Sequence, residues 1–160
     1  MSTVETVKAL VTALQSGDME LAANHMSEDC IVSGLTPNPL TRDEFLVLQS
    51  ELLAAMPDFS YNLSEVRAEG DKVTGLIVVT GTHSNDLELP MYGLRTIPAT
   101  GLAVVLPQVE STWQVERDRV ERAYIRAVPG GGLTGLLQQV GAELPIFRRV
   151  DEIDRQNLAP

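Results

Sequence analysis

The chain has 160 residues and a net charge of −10 at pH 7, because 22 Asp and Glu residues outnumber 12 Lys and Arg residues. Binding to nucleic acid or to an anionic membrane surface needs a basic patch, so this charge argues against both kinds of partner. Apolar residues make up 44% of the chain, as in an ordinary globular domain, but aromatic residues only 4%. Each aromatic residue is therefore a candidate for the core or for a binding pocket.

A single cysteine, Cys30, and two histidines, His25 and His83, are too few for an internal disulfide or a structural zinc site. Residues 1–13 lack the cationic start and apolar run of a signal peptide, and no segment has the roughly 20 apolar residues of a membrane span. We therefore expect a cytoplasmic protein that does not enter a membrane. The common nucleotide-binding and hydrolase motifs are missing from the sequence, and we predict no cofactor and no metal ion.

The first third of the chain has the pattern of helices. A capping-box pattern at 2–5 precedes apolar residues that recur every three or four positions. A Gly-Asp pair then ends this helix and begins a second, at roughly 19–26. After a short β run at 30–33, another capping-box pattern at 41–44 begins a helix that reaches Pro57.

From residue 59 onward the apolar residues alternate with polar ones, which is the period of half-buried strands. A glycine run at 130–132 ends the predicted sheet, and a short helix follows at 133–140. Helices followed by consecutive antiparallel strands favour an α+β fold over a parallel, doubly wound sheet. We predict one domain at 1–143, followed by a C-terminal tail or arm at 144–160. The predicted strands cover 59–63, 73–79, 102–115 and 120–128.

Four short motifs occur in the order and at the spacing of the SnoaL-like family, which belongs to the nuclear-transport-factor-2-like superfamily. They are Gly70-Asp71-Lys72-Val73, Thr80-Gly81-Thr82-His83, Gly101 and Leu136-Leu137-Gln138-Gln139-Val140-Gly141. The resemblance spans roughly residues 4–143 and implies a cone-shaped α+β barrel, in which helices and a strongly curved antiparallel sheet enclose an apolar pocket. It also implies a homodimer formed through the sheet.

The function that this resemblance implies depends on a carboxylate. In the family's polyketide cyclases, an Asp before the last helix is the general acid and base of an aldol-type ring closure. Here the matching position is Val128 or Gly132, and no Asp or Glu occurs between Glu121 and Glu143. Three functions stay open: an isomerase or cyclase that acts on a small hydrophobic carbonyl compound by acid/base chemistry, a non-catalytic binding protein for such a compound, and a homodimeric scaffold.

Two residues are candidates for proton transfer. His83 matches the His of the family's GTH motif and shares strand parity with Val73 and Ile77, so its imidazole would face the pocket as an acid, base or hydrogen-bond donor. The alternative is a structural histidine at the end of a strand. Glu110 lies inside an apolar run, where burial would raise the pKa of its carboxyl toward that of a general base. A slip of one residue would instead point Glu110 to solvent.

Four of the few aromatic residues fall in or near the predicted strands and are candidates for binding the ligand. Tyr and Trp combine an apolar body with a polar tip, which suits a pocket wall, although packing in the core is the alternative for each. Trp113 has the opposite strand parity to Glu110, so both cannot face the pocket unless a bulge lies between them. The four are Tyr61, Tyr92, Trp113 and Tyr124.

Overall fold

A computed structural model describes residues 1–144 of the chain. The predicted C-terminal tail or arm, apart from residue 144, lies outside these residues. Within them, no helix is both long enough and apolar enough to cross a bilayer. The helices are α1 (Thr3–Ser16), α2 (Met19–Asn24), α3 (Arg42–Ala55) and α4 (Gly132–Gln139), with a short 3-10 turn at Pro90–Tyr92.

The first three helices begin where the sequence predicts, because side chains bind the free backbone amides of their first turns. The Oγ of Ser2 accepts a hydrogen bond from the amide of Glu5 at 3.0 Å. Thr41 and Glu44 form the complete, reciprocal capping box at the start of α3. Gly17 ends α1 with φ of +82°, a left-handed conformation that glycine adopts without a steric cost. The helix α2 ends at residue 24, two residues earlier than predicted, and α4, which has no side-chain cap, begins and ends one residue earlier than predicted.

The strands are β1 (Met26–Ser33), β2 (Leu40–Thr41), β3 (Ser64–Glu69), β4 (Lys72–Ile77), β5 (Thr80–Thr82), β6 (Ala103–Val105), β7 (Val109–Glu116) and β8 (Arg119–Ile125). Six of them form one sheet in the order β2-β1-β8-β7-β4-β3, and β5 pairs with β6 in a separate two-stranded sheet. The long β-rich stretch predicted at 102–115 is divided between the two sheets, because the segment 106–108 between β6 and β7 is not a strand.

The six-stranded sheet is mixed rather than entirely antiparallel. Strand β1 runs parallel to β8, with Val32 opposite Ala123, while the other neighbouring pairs of described strands are antiparallel. The expectation of an antiparallel sheet built from consecutive strands was therefore wrong for β1. A strand from the first third of the chain joins the last strand because this position buries Cys30 and Val32 in the core. Such long-range pairing leaves no periodic signal in the sequence.

The segment predicted as a strand at 59–63 is mostly loop. It makes a single bridge, between Ser60 and Thr80, and β3 begins only at Ser64. The alternation of the side chains is real, because Phe59 and Tyr61 are both buried. Their rings meet edge to face with centroids 5.0 Å apart. Burial of alternate residues thus occurs here without the backbone pairing of a strand.

The core lies between the helices and the inner face of the sheet. On that face, alternate residues from β4 onward are buried, and this row ends at His83, which is 1% exposed. The shared parity of His83 with Val73 and Ile77 is thereby confirmed. The helices contribute the residues of their apolar stripes, including Leu10, Leu14 and Leu48, none of which is exposed. The result is an α+β fold with helices packed on a mixed, mostly antiparallel sheet.

Candidate functional site

An apolar groove of about 660 Å³ opens between the loop at 37–40, the 3-10 turn and α4. This volume is within the usual range of small-molecule sites, about 300–1,000 Å³. The helix α4 is tied to the rest of the fold because the side-chain amide of Gln139 bonds both the N–H and the C=O of Val105. The residues that line the groove are Pro37, Asn38, Pro39, Leu40, Glu44, Met91, Tyr92, Thr134, Gln138, Glu143 and Leu144.

Tyr92 is the one predicted binding residue that lines this groove. Its hydroxyl oxygen is buried, and the side chain of Thr36 is the polar group beside it. Burial raises the pKa of Tyr92, the hydrogen bond with Thr36 lowers it, and the negative charges of Glu44 and Glu51 raise it. The net effect is a raised pKa, so the phenol stays protonated at neutral pH.

Glu51 is a second polar side chain near Tyr92 with an unpaired atom. Its Oε2 is buried and without a hydrogen-bond partner. Burial raises the pKa of the Glu51 carboxyl, and the neighbouring charge of Glu88 raises it further. The sequence analysis did not select Glu51, although a glutamate between Leu48 and Leu52 on the buried side of a helix is a signal that could have identified it.

His83 lies in the interior, outside the groove. Its Nδ1 is 2.9 Å from the Oγ1 of Thr100, and its Nε2 is buried without a partner. The preceding residue, Thr82, is held by Asp58, whose two carboxylate oxygens accept bonds from the Thr82 amide at 2.7 Å and hydroxyl at 2.8 Å. These bonds lower the pKa of the Asp58 carboxyl. His83 is thus placed firmly, but among core residues, and it is not a lining residue of the groove.

Tyr61 and Trp113 also belong to the interior, since each is 4% exposed. The hydroxyl of Tyr61 donates a short hydrogen bond to the Oε1 of Gln49, a fully buried side chain on α3 that sequence reasoning missed. The indole N–H of Trp113 donates to the Oγ of Ser111 at 2.9 Å, and that hydroxyl donates to the backbone carbonyl of residue 75. Both aromatic residues therefore pack in the core, which was the alternative considered for each of them, and they do not line the groove.

Glu110 and Tyr124 lie on the outer face of the sheet, so the expectation that they face the pocket is corrected. The side chain of Glu110 is 72% exposed and lies 3.7 Å from the guanidinium of Arg126, which is also exposed. Tyr124 is 50% exposed. The cause is strand parity: Trp113 points inward from β7, and Glu110 is an odd number of residues away from it. The structure does not bring Glu110 and His83 together.

Gly132, one of the two positions that match the family's acid/base Asp, has no space for a carboxylate side chain. This glycine has φ of +63°, and a Cβ at this position would lie 2.7 Å from the carbonyl oxygen of Leu35. Val128, the other matching position, has an apolar side chain. Within the described residues, moreover, no group of three or more His, Cys, Asp or Glu side chains is placed to hold a metal ion. Proton transfer in the groove would need a different group.

Comparison with known proteins shows which family and which solved structures this chain is similar to. The family model described as SnoaL-like polyketide cyclase matches residues 4–122. No protein with a curated description matches the sequence. Among solved structures, IdmH of Streptomyces antibioticus, a proposed polyketide cyclase, is similar with a TM-score of 0.66 and 22% identity over 89% of this chain and 100% of its own.

Two further solved structures have the same fold. AclR of Streptomyces galilaeus, a proposed hydroxylase, is 21% identical with a TM-score of 0.65, over 87% of this chain and 95% of its own. A protein of Catenulispora acidiphila described as having a ketosteroid isomerase-like fold is 13% identical with a TM-score of 0.62, over 86% and 93%. At these identities the likeness establishes the fold alone.

Proposed function

Because the chain belongs to the SnoaL-like polyketide cyclase family, we propose that it binds a small hydrophobic carbonyl compound of polyketide type in the groove and converts it by acid/base chemistry, as an isomerase or cyclase. The observation that carries this proposal is a groove of ligand size in which Tyr92 lies beside proline, leucine and methionine side chains. A protonated phenol in that setting can donate a hydrogen bond to a carbonyl oxygen and to the enolate that forms from it.

The charges around the groove narrow the class of ligand. Glu44 and Glu143 are the charged residues among those described as lining the groove, and Glu51 adds a third carboxyl near Tyr92. An anionic ligand would be repelled by these groups. The ligand that fits is a neutral compound, such as a ketone or an ester, rather than a free acid.

A non-catalytic binding protein is the second candidate function. It is favoured by the glycine at position 132 and the valine at position 128, where the family's cyclases hold their acid/base Asp. Such a protein would bind the same class of compound in the same groove without turnover. His83 as the proton-carrying group stays a prediction, and the variant His83→Ala in an activity assay is its test.

The experiment is a binding titration with 1-tetralone, a bicyclic hydrophobic ketone, followed by NMR line broadening of the compound. The variant Thr134→Trp places a large side chain into the groove from α4, and Ser50→Trp places the same side chain on an exposed position outside the lining. We expect Thr134→Trp to abolish binding and Ser50→Trp to leave it unchanged. Equal binding by both variants would show that the compound does not use the groove.

A further inference from the structure

Two adjacent glutamines on α4 have different surroundings. The side-chain amide of Gln139 pairs with the backbone of Val105, accepting from its N–H at 3.0 Å and donating to its C=O at 2.8 Å. Within residues 1–144, no such backbone pairing holds the side chain of Gln138, which is exposed and lines the groove. Successive residues of a helix point about 100° apart, so one glutamine faces β6 while the other faces the groove.

The position of Gln138 is fixed by its neighbours along the helix. Leu137, just before it, is fully buried in the core, and Gln139, just after it, is bonded to β6. Thr134, one turn earlier, also lines the groove, so the two side chains extend from the same face of α4. A helix held in this way presents a side chain more precisely than a loop does, and Asn38, the other amide of the lining, lies on a loop.

The amide of Gln138 also supplies a group that its neighbours in the groove lack. The carboxylates of Glu44 and Glu143 accept hydrogen bonds but have none to donate. The hydroxyl of Tyr92 has the side chain of Thr36 beside it. The Gln138 side chain carries two N–H donors and no charge, and it lies next to apolar side chains of the same wall.

We infer that Gln138 determines the specificity of this protein for carbonyl compounds, because its amide N–H donates a hydrogen bond to the carbonyl oxygen of the bound ligand. The inference rests on the proposed function, since it needs such a compound in the groove. A carbonyl oxygen has two lone pairs, so this bond is compatible with one from the hydroxyl of Tyr92. A hydrocarbon of the same shape would cover the amide and displace its water without offering an acceptor, which is unfavourable.

The test compares the binding of 1-tetralone with that of tetralin, which has the same two rings without the carbonyl group. The ratio of the Kd of tetralin to the Kd of 1-tetralone is measured by NMR line broadening for the wild type and for each variant. Comparing these ratios cancels the difference in hydration between the two compounds. We expect Gln138→Leu to lower the ratio by about 3-fold to 10-fold, the contribution of one hydrogen bond between neutral groups.

Two further substitutions separate a hydrogen-bond donor from a side chain that only fills space. Gln138→Glu keeps the size of the side chain but replaces its N–H groups by a carboxylate oxygen, so it should lower the ratio at least as far as Gln138→Leu. Gln138→Lys supplies a donor again and should keep the ratio above that of Gln138→Leu. Because Gln138 is exposed, Gln138→Leu should lower the melting temperature by no more than about 2 °C.

The matched control is Gln108→Leu, the same substitution at an exposed position outside the lining, which should keep the wild-type ratio. An unchanged ratio in Gln138→Leu, or an equal fall in Gln108→Leu, would overturn the inference but leave the binding function intact. A melting temperature many degrees lower in Gln138→Leu would indicate a structural role and would also overturn it. Failure of the wild type to bind 1-tetralone would contradict the proposed function itself.

Discussion

The interior around His83 and the groove beside Tyr92 both contain polar side chains, but they differ in how exposed these are. In the interior, Tyr61 bonds to Gln49, and His83 bonds to Thr100. Gln49 and His83 are each 1% exposed. The groove is lined by Glu44, Thr134 and Glu143, which are exposed. The comparison indicates that the polar side chains of the interior bond to one another and support the fold, while those of the groove face solvent.

The largest expected effect comes from removing an interior aromatic side chain. Trp113→Ala should lower the free energy of unfolding by about 3–5 kcal/mol, because it leaves a cavity in the core and removes the N–H that donates to the Oγ of Ser111. Urea denaturation followed by circular dichroism measures this loss. A loss below about 1 kcal/mol would mean that the interior is not packed as described.

The control for this variant is Tyr124→Ala on the outer face of the sheet, where Tyr124 is 50% exposed. A surface substitution should change the free energy of unfolding by no more than about 0.5 kcal/mol. The homodimer that the resemblance implies stays a prediction. It bears on this control, because a partner subunit packed on the outer face of the sheet would cover Tyr124. Sedimentation of the wild type and of Tyr124→Ala at two concentrations tests it.

A smaller effect should come from the hydrogen bond between Tyr61 and Gln49. Gln49→Leu removes the acceptor and leaves the Tyr61 hydroxyl buried without a partner, so it should lower the free energy of unfolding by about 1–3 kcal/mol. Adding Tyr61→Phe to the same chain removes the hydroxyl that has lost its acceptor. The double variant should therefore recover part of the loss, and additive losses in this double-mutant cycle would show that the two side chains do not interact.

The smallest effect, of opposite sign, is expected at Glu51 on α3. Because the pKa of Glu51 is raised in the folded state, its ionisation opposes folding at pH values above that pKa. The free energy of unfolding is therefore higher at acid pH. It falls as the pH rises from the pKa of Glu51 in the unfolded chain to its higher pKa in the folded protein. Glu51→Gln should raise the melting temperature by a few degrees at pH 7, and the gain should shrink as the pH is lowered toward 4. A melting temperature that drops at pH 7 would contradict a raised pKa of Glu51 in the folded state.

The contrast between these regions also shows which parts of the site were predictable. His83 was correctly placed on the inner face because strand parity from Val73 onward is a local property of the backbone. The same parity argument allowed only one of Trp113 and Glu110 to face inward, but it could not say which one. That choice depends on where β7 pairs with β4 and β8, which are far apart in the sequence.

The groove could not be predicted, because it is formed by the loop at 37–40, the 3-10 turn and α4, which have no shared sequence period. Tyr92 was selected only as one of few aromatic residues, and Glu51 was not selected at all. The burial of their oxygens exists only when the packed neighbours exclude water.

By itself, the sequence determined the starts of the helices, the α+β class, the family resemblance and the inward side of the strand that leads to His83. These follow from capping side chains, apolar periodicity and short motifs, all of which act within a few residues of the chain. The tertiary structure decided the parallel pairing of β1 with β8, the outward position of Glu110, and the groove that Tyr92 lines. These depend on contacts between distant segments, which form because burial of the whole core, rather than any local pattern, selects one packing.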